Sequence, residues 1–328
     1  MPPWLVPATV VLGAARRSGR LPHALLIHEA PGAGGDWLAH WVARLTLCQR
    51  SGPAPCGECS ACRRALAWQH PDLTRVSPLE DSRQIRIEQV RDLAADLALT
   101  SHAGGYKVGV LDPADSMNRF AANALLKTLE EPPPRTLLVL VASQPSRLPP
   151  TVLSRCQRLT VRAPARAAAV AWLTQVRGPG AWDAALETVG EAPMELLHAD
   201  PEPLAQIGTE TSRTLDAVAA GGTDPLAAAE RWAKAELPVR LRCFENWLTE
   251  RIRGGPGAGN LIPEVRAGRY LPAAGAFLNI RELFALLDEV REFRTALDVP
   301  LNRALALEAL LRRLAPRGAG AAAWEAKG

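Results

Sequence analysis

The sequence predicts an α/β domain built on a parallel sheet, followed by an all-helical C-terminal half. Three observations carry that reading. Strand-like and helix-like segments alternate through residues 1–162, which implies parallel strands with helices on both faces. Residues 136–142 are apolar almost throughout, as expected of a strand covered on both sides. Beyond Val161 the strand signal fades and helical periodicity alone remains.

Residues 24–28 read as a buried strand ending in a glycine-rich turn. Residues 37–48 are amphipathic, with Trp37, Trp41, Leu45 and Cys48 near helical spacing, and a cysteine-rich loop follows. Residues 72–76 form a short strand. Residues 87–99 carry apolar side chains at 87, 90, 93, 97 and 99, with Glu88, Arg91, Asp92 and Asp96 between, which suits a helix. Residues 107–111 are a strand. Residues 118–131 are a helix stopped by Pro132, Pro133 and Pro134. Residues 153–155 fit a short helix and 158–161 a last strand.

Short helices are predicted at 165–176 and 181–199, joined through Gly178, Pro179 and Gly180; Pro164 suits the first turn of the former. Longer helices follow at 226–235, 239–253, 280–297 and 301–314, with a loop at 254–259. The expected divisions are an α/β domain at 1–162 with a cysteine insertion at 48–62, a small helical domain at 163–203, an all-α domain at 204–315 and a flexible tail at 316–328.

The chain has 328 residues, 48% of them hydrophobic and 22% charged, so wholesale disorder is excluded. No run approaches 18 apolar residues and the first residues lack a basic start, so neither a membrane span nor a secretory signal is expected; the expectation is a cytoplasmic protein. The net charge of +4 is too mild to establish a nucleic-acid partner. It divides unevenly, +6 over residues 1–162 and −2 over the remainder. Only four residues are lysine: Lys107, Lys127, Lys234 and Lys327.

Four of the six cysteines, Cys48, Cys56, Cys59 and Cys62, lie within fifteen residues. In a reducing compartment such a cluster reads as metal ligands before disulfides. Tetrahedral zinc takes four soft ligands, and two-residue Cys spacings supply them at that reach. Gly57 and Ser60 fit tight turns, and Arg63 and Arg64 could offset the negative charge of four thiolates. A closed set of four protein ligands means a structural site. Free thiols and an iron–sulfur cluster are the competing readings.

The turn after the first strand, Glu29 to Asp36, has the strand–glycine loop–helix setting of a P-loop. A working loop needs a lysine for the β- and γ-phosphates and a hydroxyl for Mg²⁺. Pro31, Gly32 and Gly34 keep the shape, but Gly35 stands at the lysine position and Asp36 at the hydroxyl position. Glu29 holds the first glycine position. Each carboxylate 4 Å from a phosphate charge would be repelled by roughly 4 kcal/mol at an effective dielectric near 20. The loop reads as degenerate, with no ATP bound. Asp112, ending the strand at 107–111, is followed by Pro113 where an ATPase would usually place a catalytic glutamate.

Several segments resemble the AAA+ clamp-loader family of bacterial DNA polymerase III, and within it the delta-prime type. Residues 123–133 (NALLKTLEEPP) are similar to its signature helix. Leu153, Ser154, Arg155 and Cys156 resemble its Ser-Arg-Cys motif. The cysteine insertion resembles its zinc module, and residues 21–26 the approach to its first strand. The resemblance implies an AAA+ α/β domain with a zinc module, a small helical lid and an all-α collar. It implies a stator without intrinsic ATPase activity. The partners it implies are gamma/tau motor subunits, delta, the sliding clamp and primed DNA. It also implies that Arg155, flanked by Ser154 and Cys156, acts as an arginine finger on a neighbour's ATP, with Zn²⁺ held structurally. Rival readings are a motor ATPase with an atypical loop, and a stand-alone zinc-containing DNA-binding protein. Lys127, Glu130 and Glu131 fit either a solvated helix face or a contact surface. Ser143 stands at an ATPase sensor position.

Overall fold

A computed structural model describes residues 1–50, 52–80, 82–253, 278–297 and 302–316. The loop expected at 254–259, and the tail expected beyond Pro316, lie outside the described residues. The chain divides into two compact units, Met1–Ala168 and Ala169–Gly328.

The first unit is built on five strands: β1 (Ala24–Glu29), β2 (Leu73–Val76), β3 (Lys107–Leu111), β4 (Thr136–Ala142) and β5 (Gln157–Val161). All pairings are parallel, in the order β2-β3-β4-β1-β5. β1 is therefore internal, with Leu26 opposite Leu140 on one side and opposite Arg158 on the other. Successive side chains alternate between faces, and the core divides accordingly. Leu26, Leu111, Leu138 and Leu140 pack on one face against α4 (Ile87–Ala98), α5 (Arg119–Glu130) and α6 (Pro150–Leu153). Leu25, Ile27, Val108, Val110, Val139 and Val141 pack on the other against α1 (Val6–Arg17), α2 (Gly35–Leu47) and α3 (Ser60–Leu66). Lys107, one of the four lysines, is 3% exposed at the start of β3, with its ammonium 2.9 Å from Asp96 Oδ1. That contact satisfies a charge that would otherwise be costly to bury.

Three local features differ from the sequence reading. The N-terminal residues form α1, which buries Leu12 but leaves Val6, Val10 and Val11 exposed. Apolar residues on both faces blur the stripe that would have marked it as a helix. The cysteine segment is only partly loop, because Cys59 caps α3 and Cys62 lies in its first turn. Arg155 lies outside the short helix expected at 153–155. That helix is α6, and the Ser154 and Arg155 amides close its end on Pro150 and Val152. Pairing of Gln157 with Leu25 then requires extended backbone, so the helix cannot continue.

The second unit comprises α7 (Arg166–Arg177, which begins at the junction), α8 (Trp182–Val189), α9 (Pro201–Ala219), α10 (Pro225–Lys234), α11 (Leu237–Ile252), α12 (Ile280–Thr295) and α13 (Arg303–Leu314). Its main core runs from Leu215 to Leu314 around Trp232, Phe244 and Trp247, whose rings meet edge to face. The Arg251 guanidinium carbon lies 3.4 Å from the centroid of Trp247 and the group pairs with Asp216. Near α8, Gly208 lets α9 approach closely: a Cβ there would lie 1.9 Å from Thr188 Oγ1.

Candidate functional site

β1 delivers Glu29 to the mouth of the glycine loop, and α2 begins at Gly35. Gly34 precedes the helix at φ 97°, a conformation that strains residues with a Cβ. Trp4 Nε1 donates to Ala33 O at 2.7 Å and ties the loop to the N-terminal segment. The amides at the start of such a helix are what a P-loop offers to phosphate. Here the Gly35 amide donates instead to Glu29 Oε2, at 2.5 Å. A Cβ at Gly35 would lie 2.7 Å from Glu29 Cδ. A side chain at position 35 and the Glu29 carboxyl would therefore occupy the same space. Burial pushes the Glu29 carboxyl up from 4.5 to about 7; the Gly35 amide opposes that shift, while Asp36 and Asp112 reinforce it.

The neighbouring ATPase-like positions are also satisfied internally. Asp112 Oδ2 accepts from Arg75 Nη2 at 2.8 Å, and burial still raises its carboxyl above the ordinary range. Ser143 Oγ donates to Asp115 Oδ2 at 3.3 Å, and the Gln144 amide donates to the same oxygen at 2.6 Å. Ser143 is thus a strand-end donor within the chain.

Arg155 emerges between α6 and β5. Its Nη2 lies 2.7 Å from Glu130 Oε1, at the end of α5, and its Nη1 donates to Thr151 O at 2.9 Å. The Arg155 side chain is 35% exposed. Ser154 donates to Thr151 O at 3.1 Å, while Cys156 packs in the core with its thiol pushed up to about 11 by burial. Within α5, Leu125 and Leu129 are buried, while Lys127 and Glu130 are exposed; Asn118 caps the helix through the Ala121 amide at 2.8 Å.

The four cysteines converge. One sulfur from each of Cys48, Cys56, Cys59 and Cys62 lies within 4.8 Å of all the others. Cys56 Sγ and Cys62 Sγ are 3.9 Å apart. A tetrahedron with metal–sulfur bonds of 2.3 Å has an edge of about 3.8 Å, and a disulfide would need about 2.05 Å. The Cys59 amide donates to Cys56 Sγ at 3.4 Å and the Cys62 amide to Cys59 Sγ at 3.3 Å, so backbone dipoles already favour thiolates. The residues present fit a tetrahedral metal ion. Arg63 and Arg64 are exposed on α3. Arg44 also lies beside the turn, since a Cβ on Gly57 would be 3.9 Å from its Nη2.

Sequence reasoning singled out the four cysteines, which the structure brings together, and also the glycine loop and Arg155, which lie at separate places in the α/β unit. It missed Glu29 as the group that fills the loop, Glu130 as the partner of Arg155, and Arg44 beside the cysteine turn. Glu29 did carry a signal, being a carboxylate six residues before a helix start, but its folding back onto Gly35 is set by the loop between them.

Comparison with known proteins gives the family. Residues 8–165 match the family described as DNA polymerase III, delta subunit. The chain is 36% identical to DNA polymerase III subunit delta' of Pseudomonas aeruginosa over 305 residues, covering 88% of this chain and 90% of that protein. It is 32% identical to the delta' subunit of Escherichia coli K12, covering 95% and 94%. A tau subunit of DNA polymerase III from the same strain is 34% identical over 44% of this chain and 22% of its own length. The fold, its loop and these likenesses define a DNA polymerase III subunit built on a P-loop-like frame. Within that class, the chain belongs to the delta' family of DNA polymerase III.

Proposed function

We propose that this chain is the stator of a clamp loader, a subunit that keeps the ATPase frame but neither binds nor hydrolyses ATP. The observation that carries the proposal is the 2.5 Å contact between Glu29 Oε2 and the Gly35 amide, which puts an internal carboxyl where a phosphate would sit. A motor subunit would need that space for phosphate and lysine. The partners in this reading are gamma/tau motor subunits and delta, acting together on the sliding clamp and primed DNA.

Arg155 is the arginine finger in this reading. It stabilises charge on the γ-phosphate of a neighbouring motor subunit, with Ser154 and Cys156 fixing the turn that carries it. A guanidinium suits the task because it stays charged and offers a fixed fork of donors. Its anchors to Glu130 and Thr151 hold it at the rim of the α/β unit until a phosphate competes for it.

The metal is inferred to be Zn²⁺, held by Cys48, Cys56, Cys59 and Cys62 and purely structural, because all four positions belong to the protein. The division of the helical part into a lid at 163–203 and a collar at 204–315 belongs to the same proposal. Its boundary falls inside α9, which packs on α8 through Gly208 and joins the main helical core from Leu215 onward.

The experiment is Arg155→Ala in a reconstituted complex. Such fingers contribute about 10³–10⁵ in rate in related systems. The site facing this subunit should lose turnover on that scale, and clamp loading should slow with it. Unchanged loading and turnover would remove Arg155 from the mechanism.

A further inference from the structure

The four-cysteine module and the glycine loop lie in the same unit, and one aromatic side chain links them through its contacts. α3 ends at Leu66, and the Trp68 and Gln69 amides close it by donating to Ala65 O at 3.1 Å and to Arg64 O at 2.8 Å. Trp68 itself holds φ 57°, in the left-handed region that favours glycine. A bulky residue persists in that conformation only where surrounding contacts fix it.

Towards the module, the Trp68 ring stacks on His40 of α2, with centroids 4.4 Å apart and planes 14° from parallel. His40 Nε2 lies 2.7 Å from Ala65 O, so the same imidazole also holds the last turn of α3. Towards the loop, the Arg75 guanidinium carbon lies 5.0 Å from the Trp68 ring centroid, within cation–π range. Arg75 Nη2 in turn donates to Asp112 Oδ2 at 2.8 Å. Arg75 stands on β2, an edge strand, with a side chain that is 42% exposed. Such a side chain has many rotamers in water, and the ring and the carboxylate together select one. Asp112 acts with Asp36 on Glu29, so Arg75 is a cation set against the carboxylates at the loop mouth.

We propose that Trp68 is a positioning residue that couples the four-cysteine module to the loop mouth: the end of α3 sets the ring, and the ring sets where Arg75 meets Asp112. The metal's part in this rests on the reading of the cluster as a zinc site. Cys59 caps α3 and Cys62 lies in its first turn, so ligation fixes the start of a seven-residue helix whose end leads into Trp68. Metal binding and the Arg75–Asp112 contact then favour the same arrangement of Trp68, and a coupling of this kind is reciprocal. The module thereby gains a task beyond its own stability. It keeps a cation on the carboxylates of a loop that lacks its lysine.

The test uses the full chain as purified, with its bound metal measured first. Carbon-13 at the aspartate carboxyls reports Asp112, whose resonance is identified by its loss in Asp112→Asn. At fixed pH, Trp68→Ala shifts that resonance towards its position in Arg75→Gln, and Trp68→Phe, which keeps a ring, restores most of the difference. Competition with a chelator reads zinc affinity. Trp68→Ala and Arg75→Gln each weaken it by about fivefold or more, and the double variant is no weaker than Trp68→Ala alone, because both changes break one chain of contacts. Arg75 is exposed, so Arg75→Gln leaves the fold intact and keeps the zinc measurement decisive even where Trp68→Ala is unstable. An unmoved Asp112 resonance in Trp68→Ala, unchanged zinc affinity in Arg75→Gln, or losses that multiply in the double variant overturns the proposal and leaves Trp68 as packing alone. A chain purified without metal removes the zinc reading instead, and the Asp112 resonance then decides whether Trp68 positions Arg75.

Discussion

Glu29 is where charge and burial conflict most directly. Its folded carboxyl is pushed up to about 7 from 4.5, chiefly by burial. A raised acid binds its proton more tightly in the folded state, so between those two values the folded state holds more protons than the unfolded one. Stability from this group is complete below about pH 4.5 and is lost as pH rises through about 7. In Glu29→Gln that slope should vanish, which urea unfolding across this range would read directly. An unaltered slope would mean that another group titrates there. Arg155 poses a second question at this scale. Its partner Glu130 has a side chain that is 50% exposed, so their bridge is worth no more than about 1 kcal/mol. If Glu130 only parks the finger, Glu130→Gln should raise ATP turnover of the assembled complex by no more than about fivefold. A fall in turnover would instead give Glu130 a part in aiming the guanidinium.

Among the elements, α3 is the one that the proposed metal would support, because two of the four clustered cysteines belong to it or cap it. Seven residues are too few for a self-supporting helix in water. It is held by packing on α2 and by Cys59 and Cys62, whose sulfurs meet Cys48 and Cys56. On the proposal that the cluster holds zinc, the unaltered chain should carry one equivalent and Cys62→Ser less. If it costs about 2 kcal/mol, the melting midpoint of the first unit falls by about 4–8 °C. Metal analysis and calorimetry on one preparation would show whether both losses occur together. The α8–α9 contact offers a metal-free comparison. Gly208→Ala should cost about 1–3 kcal/mol through overpacking, and adding Thr188→Ala should recover most of it, because the clash is with Thr188 Oγ1. These contacts also mark what could be read in the sequence. β4 was legible to the residue because a strand buried on both faces has a nearly continuous apolar run, and β3 because Val108, Val110 and Leu111 mark it despite Lys107 and Gly109. The cysteine spacing announced its own convergence. α1 was not legible, because Val6, Val10 and Val11 spoil its stripe. The end of α6 was misread because β5 pairing, a long-range constraint, stops it. The Gly35–Glu29 and Arg155–Glu130 contacts depend on side chains from different elements, and no local pattern encodes them.

For the whole molecule, the distribution of chemistry matters more than any single group. The α/β unit keeps five parallel strands, a glycine loop and a carboxylate at the end of β3, yet each part is turned inward. Gly35 is satisfied by Glu29, Asp112 by Arg75, and Ser143 by Asp115. A frame closed in this way should gain nothing from nucleotide. Any ligand that binds only the folded state stabilises it by an amount set by its concentration over its dissociation constant, about 2.7 kcal/mol at a hundredfold excess. For micromolar affinity, a few hundred micromolar MgATP would therefore raise the melting midpoint by several degrees. The expected result for this chain is no shift. A shift in the isolated chain would mean that phosphate displaces the Glu29 carboxyl, and the subunit would have to be reassigned as a motor. Repeating the measurement with Glu29→Ala separates two reasons for silence. If the carboxyl alone closes the loop, the variant acquires weak anion affinity. If the missing lysine dominates, it stays silent, and the loss of ATP binding lies in the frame itself rather than in the plug.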